Sequence, residues 1–288
     1  MRLSVIMPVF DAADTITVQL EALCRQTWQE PWELIVVDNG CRDDSMRIVA
    51  GYRERLPNLR LATATERRGA AHARNVGARL ASAPFLAFCD ADDEVDDDWV
   101  MAIANAVEGH GFVASRMDAA RLSEPRSLAA KGNTRQQTGL IAYTYVPYLP
   151  FAGACGLAVR RDLHEQVGGF DESMRYLEDC DYCWRIQLAG TPLVFAPEAL
   201  VHIRHRSDPR GLYHQAQNWG EYNVLLLKRY HQHGMPVPHW TRGLSLWWSL
   251  LRRLPGLRSQ VNRDRWLWSL GYRVGQVKGS IRHRIFAL

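Results

Sequence analysis

Through the first third of the chain, short apolar runs alternate with helix-length stretches. Leu3 to Val9 is almost continuously apolar, and Pro8 near its end announces a loop. Asp14 stands where it can cap a helix over Thr15 to Gln26. Leu34 to Val37 forms a second apolar run that ends at Asp38, with Asn39 and Gly40 as a turn signal. Asp43 or Asp44 then caps a helix running toward Arg55. Leu59 to Ala64 reads as a third strand, Gly69 to Leu80 as an alanine-rich helix, and Phe85 to Cys89 as a fourth strand. Runs apolar on both faces, separated by helices, imply an α/β fold with a mostly parallel central sheet flanked by helices.

Beyond a helix predicted over Trp99 to Val107 the pattern weakens. Ser115 to Thr138 is polar and interrupted by Pro125 and Gly132, so it reads as a long loop of the kind that orders over a ligand. Strand character returns over Phe151 to Arg160. A short helix is expected over Asp162 to Val167, a tight Gly168–Gly169 connection follows, and another helix is expected over Glu178 to Ala189. Leu193 to Phe195 and Val201 to Ile203 read as two weak strands before a helical tail beginning near Tyr213. The expected division is a catalytic domain over residues 1–210 and a helical extension over 211–288.

A chain of 288 residues with 47% hydrophobic and 23% charged positions can bury a full core. The formal charge of +4 selects no partner, but its distribution is uneven. From Thr241 to Leu288 ten Arg or Lys residues face the single acid Asp264, interleaved with Trp247, Trp248, Trp266 and Trp268. That segment suits an anionic membrane surface, or a helical cap whose indoles pack in a core or a homodimer interface. It carries no run long and apolar enough to span a bilayer. No signal peptide is apparent, so a cytoplasmic location is expected, peripheral to the inner face of the cell membrane if the tail meets lipid. Nucleic acid is not expected, because the basic tail has no base-reading motif. The six cysteines are too dispersed for a disulfide framework, and Cys180 and Cys183 form a lone CxxC without a second pair.

Ligands of such sheets sit beyond the carboxyl ends of the strands, which makes Asp11, Asp38 and the run Asp90, Ala91, Asp92, Asp93 neighbours in space. Carboxylates at the end of a rigid strand suit a hard divalent cation, Mn²⁺ or Mg²⁺, which would neutralise a diphosphate; a solvated acidic turn is the alternative. Asp38 is placed to accept a base N–H while the backbone around Pro8 and Val9 fixes the edge of the base; a helix cap is the alternative. Asp11 serves the base, the ribose or the loop. Arg67 and Arg74 are candidates for phosphate. Glu178 and Asp179 open a second acidic site, where one carboxylate could take a proton from an acceptor hydroxyl; helix-terminal electrostatics is the competing role. His202 and Arg204 are candidates for a metal and for a departing diphosphate respectively.

Taken in order, SVIMPVFDA, VVDNGCRDDS, ERRGAAHARNVG, FCDADDEVD, GGFDESMRYLEDCDYCWR and HIRHR resemble the family 2 glycosyltransferases of the A-type nucleotide-diphospho-sugar transferase fold, over roughly Leu3 to Arg206. The resemblance implies a single such domain with a helical C-terminal extension. It implies that Pro8, Val9 and Asp38 hold the base, that Asp90 and Asp92 form the DxD element with Asp92 the stronger metal ligand and Asp90 nearer the ribose, that Asp179 is the catalytic base, and that His202 is a later metal or diphosphate contact. It further implies inverting transfer from a nucleoside-diphosphate sugar, UDP sugars being the broad default, to a saccharide, lipid-linked or small-molecule hydroxyl.

Three positions depart from the family pattern: Asp11 stands where Asn is frequent, Asn39 replaces a second Asp, and Cys41 with Arg42 replaces a small hydroxyl pair. A sugar nucleotidyltransferase would be expected to carry a glycine-rich loop where this chain has Pro8 to Asp11. A noncatalytic nucleotide-sugar-binding protein is the other alternative, against which the presence of Asp90, Asp92 and Asp179 together argues.

Overall fold

The computed structural model describes residues 1–56 and 58–287, with positions 240 and 242 described by backbone alone. The chain forms two compact units. The first comprises Met1–Leu122, Thr134–Ile141 and Pro150–Arg204; the second comprises Ser123–Asn133, Ala142–Leu149 and His205 to the C-terminal end.

The first unit is built on an eight-stranded sheet of order β3-β2-β1-β4-β7-β6-β8-β5. Its parallel part joins β1 (Leu3–Val9), β2 (Trp32–Asp38), β3 (Leu59–Thr63) and β4 (Phe85–Phe88). Alternate residues Leu3, Val5, Met7 and Val9 of β1 pack with α1 (Ile16–Cys24) and α4 (Trp99–His110), while α3 (Ala70–Leu80) lies against β1 and β2. Cover on both faces is why β1, β2 and β4 read as nearly unbroken apolar runs, while β3 at the sheet edge is half-exposed. The mostly parallel sheet flanked by helices is the architecture the pattern predicts.

Beyond β4 the sheet becomes mixed. β7 (Leu157–Arg160) is antiparallel to both β4 and β6 (Phe112–Asp118), and β6 runs parallel to β8 (Val194–His202). The two weak strands expected over Leu193 to Ile203 are this one strand. Its register jumps from Ser115↔Ala196 to Arg116↔Leu200, so Pro197, Glu198 and Ala199 form a bulge. Proline cannot donate to a ladder, and a bulge is where a strand tolerates it. β5 (Glu94–Val95) pairs antiparallel with β8 at the sheet edge.

Several local expectations are corrected. Thr15, not Asp14, occupies the N-cap of α1, whose start is set by Thr15 and Ile16 N–H bonds to the Ala12 carbonyl. The stretch Ser115 to Thr138 is not one loop. It completes β6 and contains α5 (Pro125–Lys131), in which Pro125 starts the helix, since its missing N–H has no intrahelical partner there anyway. α2 (Ser45–Ala50) stops short of Arg55, and Asp43 accepts from the Ser45 N–H at 3.0 Å. α6 (Arg161–Gln166) and α7 (Glu178–Leu188) fall where expected within a residue.

The second unit holds α8 (Pro209–Tyr230), α9 (Trp240–Arg252) and α10 (Gln260–His283), with α5. α8 begins four residues before Tyr213, capped by Asp208, whose Oδ1 accepts from the Gly211 N–H. On α10, Gly271, Gly275 and Gly279 recur every fourth residue and meet the α8 backbone at the carbonyls of Tyr213, Gln217 and Glu221. Any Cβ on Gly275 would collide with the Gln217 carbonyl, so close helix packing depends on the missing side chain. Asp264 is buried in a two-pronged ion pair with Arg126, both contacts at 2.7 Å. No helix among the described residues is long and apolar enough to cross a membrane.

Candidate active site

The parallel strands deliver their carboxyl ends to one edge of the sheet. Val9 and Asp38 are paired in register there, and Asp90 follows β4 two residues on. Asp38 Oδ1 accepts from the N–H groups of Gly40 and Cys41 at 2.9 and 2.8 Å, fixing the turn after β2. The Val9 carbonyl accepts from the Asn39 N–H at 2.9 Å, so β1 and this turn are held together beside the half-buried Pro8. Asp11 lies in the left-handed region (φ 46°) and accepts from the Arg42 N–H at 2.7 Å. Its carboxylate braces the rim, together with Asp43, which accepts from Ala13 N–H at 2.8 Å.

Asn39 explains one departure from the family pattern. Its amide nitrogen donates to the carbonyls of Ala64 and Arg67 at 2.5 and 2.9 Å, and its oxygen accepts from the Gly69 N–H at 2.7 Å. An aspartate would supply no donor to either carbonyl. Asn39 thereby holds the loop carrying Arg67, which is exposed with its guanidinium 3.7 Å from Glu172.

Arg74, the candidate for phosphate one turn into α3, is enclosed between two acids. It is 3% exposed and donates to Asp90 Oδ1 at 2.7 Å and Glu178 Oε1 at 3.0 Å, with its guanidinium 5.5 Å from the centre of the Phe170 ring. One cation thus links the acid after β4 to the acid opening α7, positions far apart in sequence. Neighbouring Asn75 sews α3 to the segment before α7 by exchanging hydrogen bonds with the Phe170 backbone, 2.8 Å each way.

The acidic run Asp90 to Asp98 separates into two parts. Glu94 is buried and paired with Arg25 and Arg121 at 3.1 and 2.9 Å, and Asp97 also pairs with Arg25, so this end is structural. At the other end, ligand atoms of Asp90, Asp93 and Cys155 lie within 4.8 Å of one another. Burial and the charges of Asp92 and Asp90 push the Asp93 carboxyl well above its ordinary range. Burial likewise pushes the Cys155 thiol well up. A partly buried group of carboxylates with like-charged neighbours fits a divalent cation, which would remove that repulsion. Asp92 is exposed beside it, and Ala91 is buried between the two acids of the DxD.

Gln19 of α1 holds this segment from behind. Its amide nitrogen donates to the Asp90 carbonyl at 3.1 Å and its oxygen accepts from the Val95 N–H at 2.9 Å. Asp93 belongs to the acidic run that the sequence marks, whereas Cys155 and Gln19 were not singled out by motif; a glutamine buried in an amphipathic helix was the only signal for the latter.

Arg204 donates its backbone N–H to Asp93 Oδ1 at 3.1 Å and its side chain to the Asp92 and Leu122 carbonyls at 3.4 and 3.2 Å. His202 is buried, 3.7 Å from Asp96 and 3.9 Å from Asp118. The structure therefore gathers Asp90, Asp93 and Arg204, and sets His202 among Asp96 and Asp118.

Glu178 and Asp179 begin α7 directly after Leu177, a non-glycine residue in the left-handed region (φ 57°). Such a conformation costs about 1–3 kcal/mol and persists only where the surroundings impose it. Asp179 Oδ1 accepts from the Cys180 N–H at 2.8 Å. Burial, reinforced by the charge of Glu178, pushes the Asp179 carboxyl up to about 7. Burial raises Glu178 too, against the pull of Arg74.

These acids at the strand ends, on a sheet of this order, define a nucleotide-sugar transferase fold of the A type. Residues 4–168 match the model of the Glycosyl transferase family 2, and the chain belongs to that family. Glu178, Asp179, His202 and Arg204 lie beyond the matched stretch. Among characterised proteins it is similar to glycosyltransferase AglE of Haloferax volcanii, at 28% identity over 68% of this chain and 65% of AglE. It is also similar to the pre-mycofactocin glycosyltransferase of Mycobacterium tuberculosis, at 30% identity over 62% of this chain and 38% of that protein. The chain thus spans less than two thirds of these relatives' lengths. The fold is shared with the Pyrobaculum calidifontis mannosyltransferase PcManGT in complex with GDP-Man and Mn²⁺, at TM-score 0.59 and 21% identity over 98% of this chain and 75% of that one. S. aureus TarS in complex with UDP-GlcNAc is likewise similar, at TM-score 0.57 and 20% identity over 100% and 93% of the two chains.

Proposed function

We propose that the chain is a metal-dependent, inverting glycosyltransferase that moves a sugar from a nucleoside-diphosphate donor, a UDP sugar by preference, to an acceptor hydroxyl. The observation that carries this reading is the Asp90–Arg74–Glu178 chain of hydrogen bonds, which ties the donor-side acids to the α7 terminus where Asp179 stands. The complexes of PcManGT with GDP-Man and Mn²⁺ and of TarS with UDP-GlcNAc support a nucleotide sugar as donor.

In this reading Pro8, Val9 and Asp38 hold the base, and Asp11 shapes the rim of its site. Asp90, Asp92 and Asp93 would hold Mn²⁺ or Mg²⁺, with Ala91 packed between the first two, Arg67 and Arg204 facing the diphosphate, and His202 behind. A bound cation supplies charge neutralisation of the leaving diphosphate. Asp179 takes the proton of the acceptor hydroxyl. The acceptor oxygen then bonds to the anomeric carbon from the face opposite the diphosphate, as the bond from that carbon to the diphosphate oxygen breaks. A base poised near pH 7 suits this task. Glu178 holds the terminus of α7 in place through Arg74, which keeps Asp179 aimed at the acceptor.

The acceptor is a saccharide, a lipid-linked sugar or a small molecule bearing a hydroxyl. The six cysteines are free thiols, which suits a reducing cytoplasmic location. Residues 1–210 would be the catalytic domain and 211–288 its extension. The decisive test is incubation with Mn²⁺, UDP, dTDP and GDP sugars and a mixed acceptor library, read by mass spectrometry. Glycosylated product with free nucleoside diphosphate, absent without metal and in Asp179→Asn, supports the reading. A folded protein that binds no donor under any of these conditions sinks it.

A further inference from the structure

Helix α9 turns Gly243 and Leu250 inward, where both are buried, and the Leu250 carbonyl accepts from the Trp266 indole N–H at 3.0 Å. Its other face is a stripe. Leu244, Trp248 and Leu251 stand at i, i+4 and i+7 and are 61%, 62% and 57% exposed, and Leu254 in the turn after the helix is exposed too. Three large apolar side chains in line on one helix face, with a fourth exposed just past its end, are not ordinary surface scatter.

The charge around the stripe says what covers it. Arg252, Arg253 and Arg258 are exposed along its C-terminal end. Asp264, the single acid after Thr241, is buried in its ion pair with Arg126. A second copy of this helix, related by two-fold symmetry, would bring like charges against each other. An acidic surface would not. Beside the stripe lies a cavity of about 400 Å³ lined by Ser245, Trp248, Ser249, Arg252 and Arg253. Guanidinium and hydroxyl groups around an indole match a phosphate at the boundary between water and hydrocarbon.

We propose that α9 docks in the plane of an anionic lipid bilayer, with Leu244, Trp248 and Leu251 among the acyl chains and Arg252 and Arg253 on lipid phosphates. The helix lies on the membrane and does not cross it. This surface stands apart from the transferase reading and is tested without donor or acceptor.

The test is co-sedimentation of the full chain with phosphatidylcholine vesicles, with and without phosphatidylglycerol. The chain is expected to pellet with the anionic vesicles only, and to be released as NaCl rises to about 0.5 M, where surface charge is screened. Leu244→Glu with Leu251→Glu, and separately Arg252→Glu with Arg253→Glu, are each expected to weaken binding by about tenfold or more. All four positions are exposed, and an unchanged melting temperature confirms that the variants fold. Wild-type protein that ignores anionic vesicles overturns the proposal, as does binding that neither variant weakens. Failure to bind lipid, combined with a dimer that Trp248→Glu dissociates, assigns the stripe to a second copy instead.

Discussion

Arg74 and Asp90 meet in a hydrogen bond of 2.7 Å with the arginine fully enclosed, and the same guanidinium reaches Glu178 at 3.0 Å. Removing one partner of a buried ion pair leaves the other charge without compensation, at a cost of about 3–5 kcal/mol. Arg74→Met is therefore expected to lower unfolding free energy by about that amount in urea titrations. Arg74→Lys keeps the charge but offers one point donor in place of a planar fork, and should recover only part of the loss. Stability within about 0.5 kcal/mol of wild type in Arg74→Met would show that the two acids do not depend on this cation.

Asp179 carries a carboxyl raised to about 7 from an ordinary value of 3.8. A general base must be unprotonated, so kcat/KM is expected to rise with pH and level off above about 7. The stability effect has the opposite sign. Between the unfolded and folded values the native state holds a proton that the unfolded chain has released, so stability falls as pH rises through that window. Asp179→Asn should abolish turnover while stabilising the fold at pH 8 by roughly 1–3 kcal/mol, with little gain at pH 4. A melting-temperature series across pH separates these outcomes. A flat difference between the two proteins would remove the argument.

Asn39 donates to two carbonyls and accepts from one N–H. Asn39→Asp keeps the acceptor but faces a carboxylate toward the Ala64 and Arg67 carbonyls, each left without its donor. A loss of about 2–4 kcal/mol is expected, together with weaker nucleotide binding as the loop carrying Arg67 loosens. Calorimetry of the nucleoside diphosphate on the variant checks the second effect. Undiminished affinity and stability would mean that Asn39 merely fills space.

Two glycines give a matched pair. Gly275→Ala drives a methyl group into the Gln217 carbonyl across the α8–α10 contact, and should destabilise by about 1–3 kcal/mol. Gly109 in α4 has open space where a Cβ would stand, so Gly109→Ala should stabilise by about 0.5–1 kcal/mol through helix propensity. Denaturant midpoints read both. Equal effects of the two changes would argue against the close helix contact.

β1, β2 and β4 were legible because each is covered on both faces and so carries a nearly continuous apolar run, whereas β3 at the sheet edge is half-buried and was marked by Leu59, Leu61 and Ala62. Later elements were hidden by residues whose local signal is ambiguous. Pro125 reads as a breaker in isolation, yet at the first turn of a helix it costs nothing, and α5 was missed. Pro197 split β8 into two because a bulge leaves no periodic trace. At the site, Asp38, Asp90 and Asp179 could be placed by their positions after strands or at a helix start. That Arg74 would join Asp90 to Glu178 was not legible, since the contact spans |i−j| of 16 on one side and 104 on the other. The roles of Asn39 and Gln19 were equally hidden, because a side-chain amide reports its partners only after the backbone has been placed.

The sheet ends on β3 at one side and on β5 at the other, and β5 is only two residues long. A strand that short gives an incoming chain almost no ladder to copy. Its Glu94 also draws Arg25 and Arg121 to that strand, and charged side chains at an edge disfavour pairing with another chain. The salt links that hold back the acidic loop therefore also guard that edge against the strand-by-strand stacking from which amyloid grows.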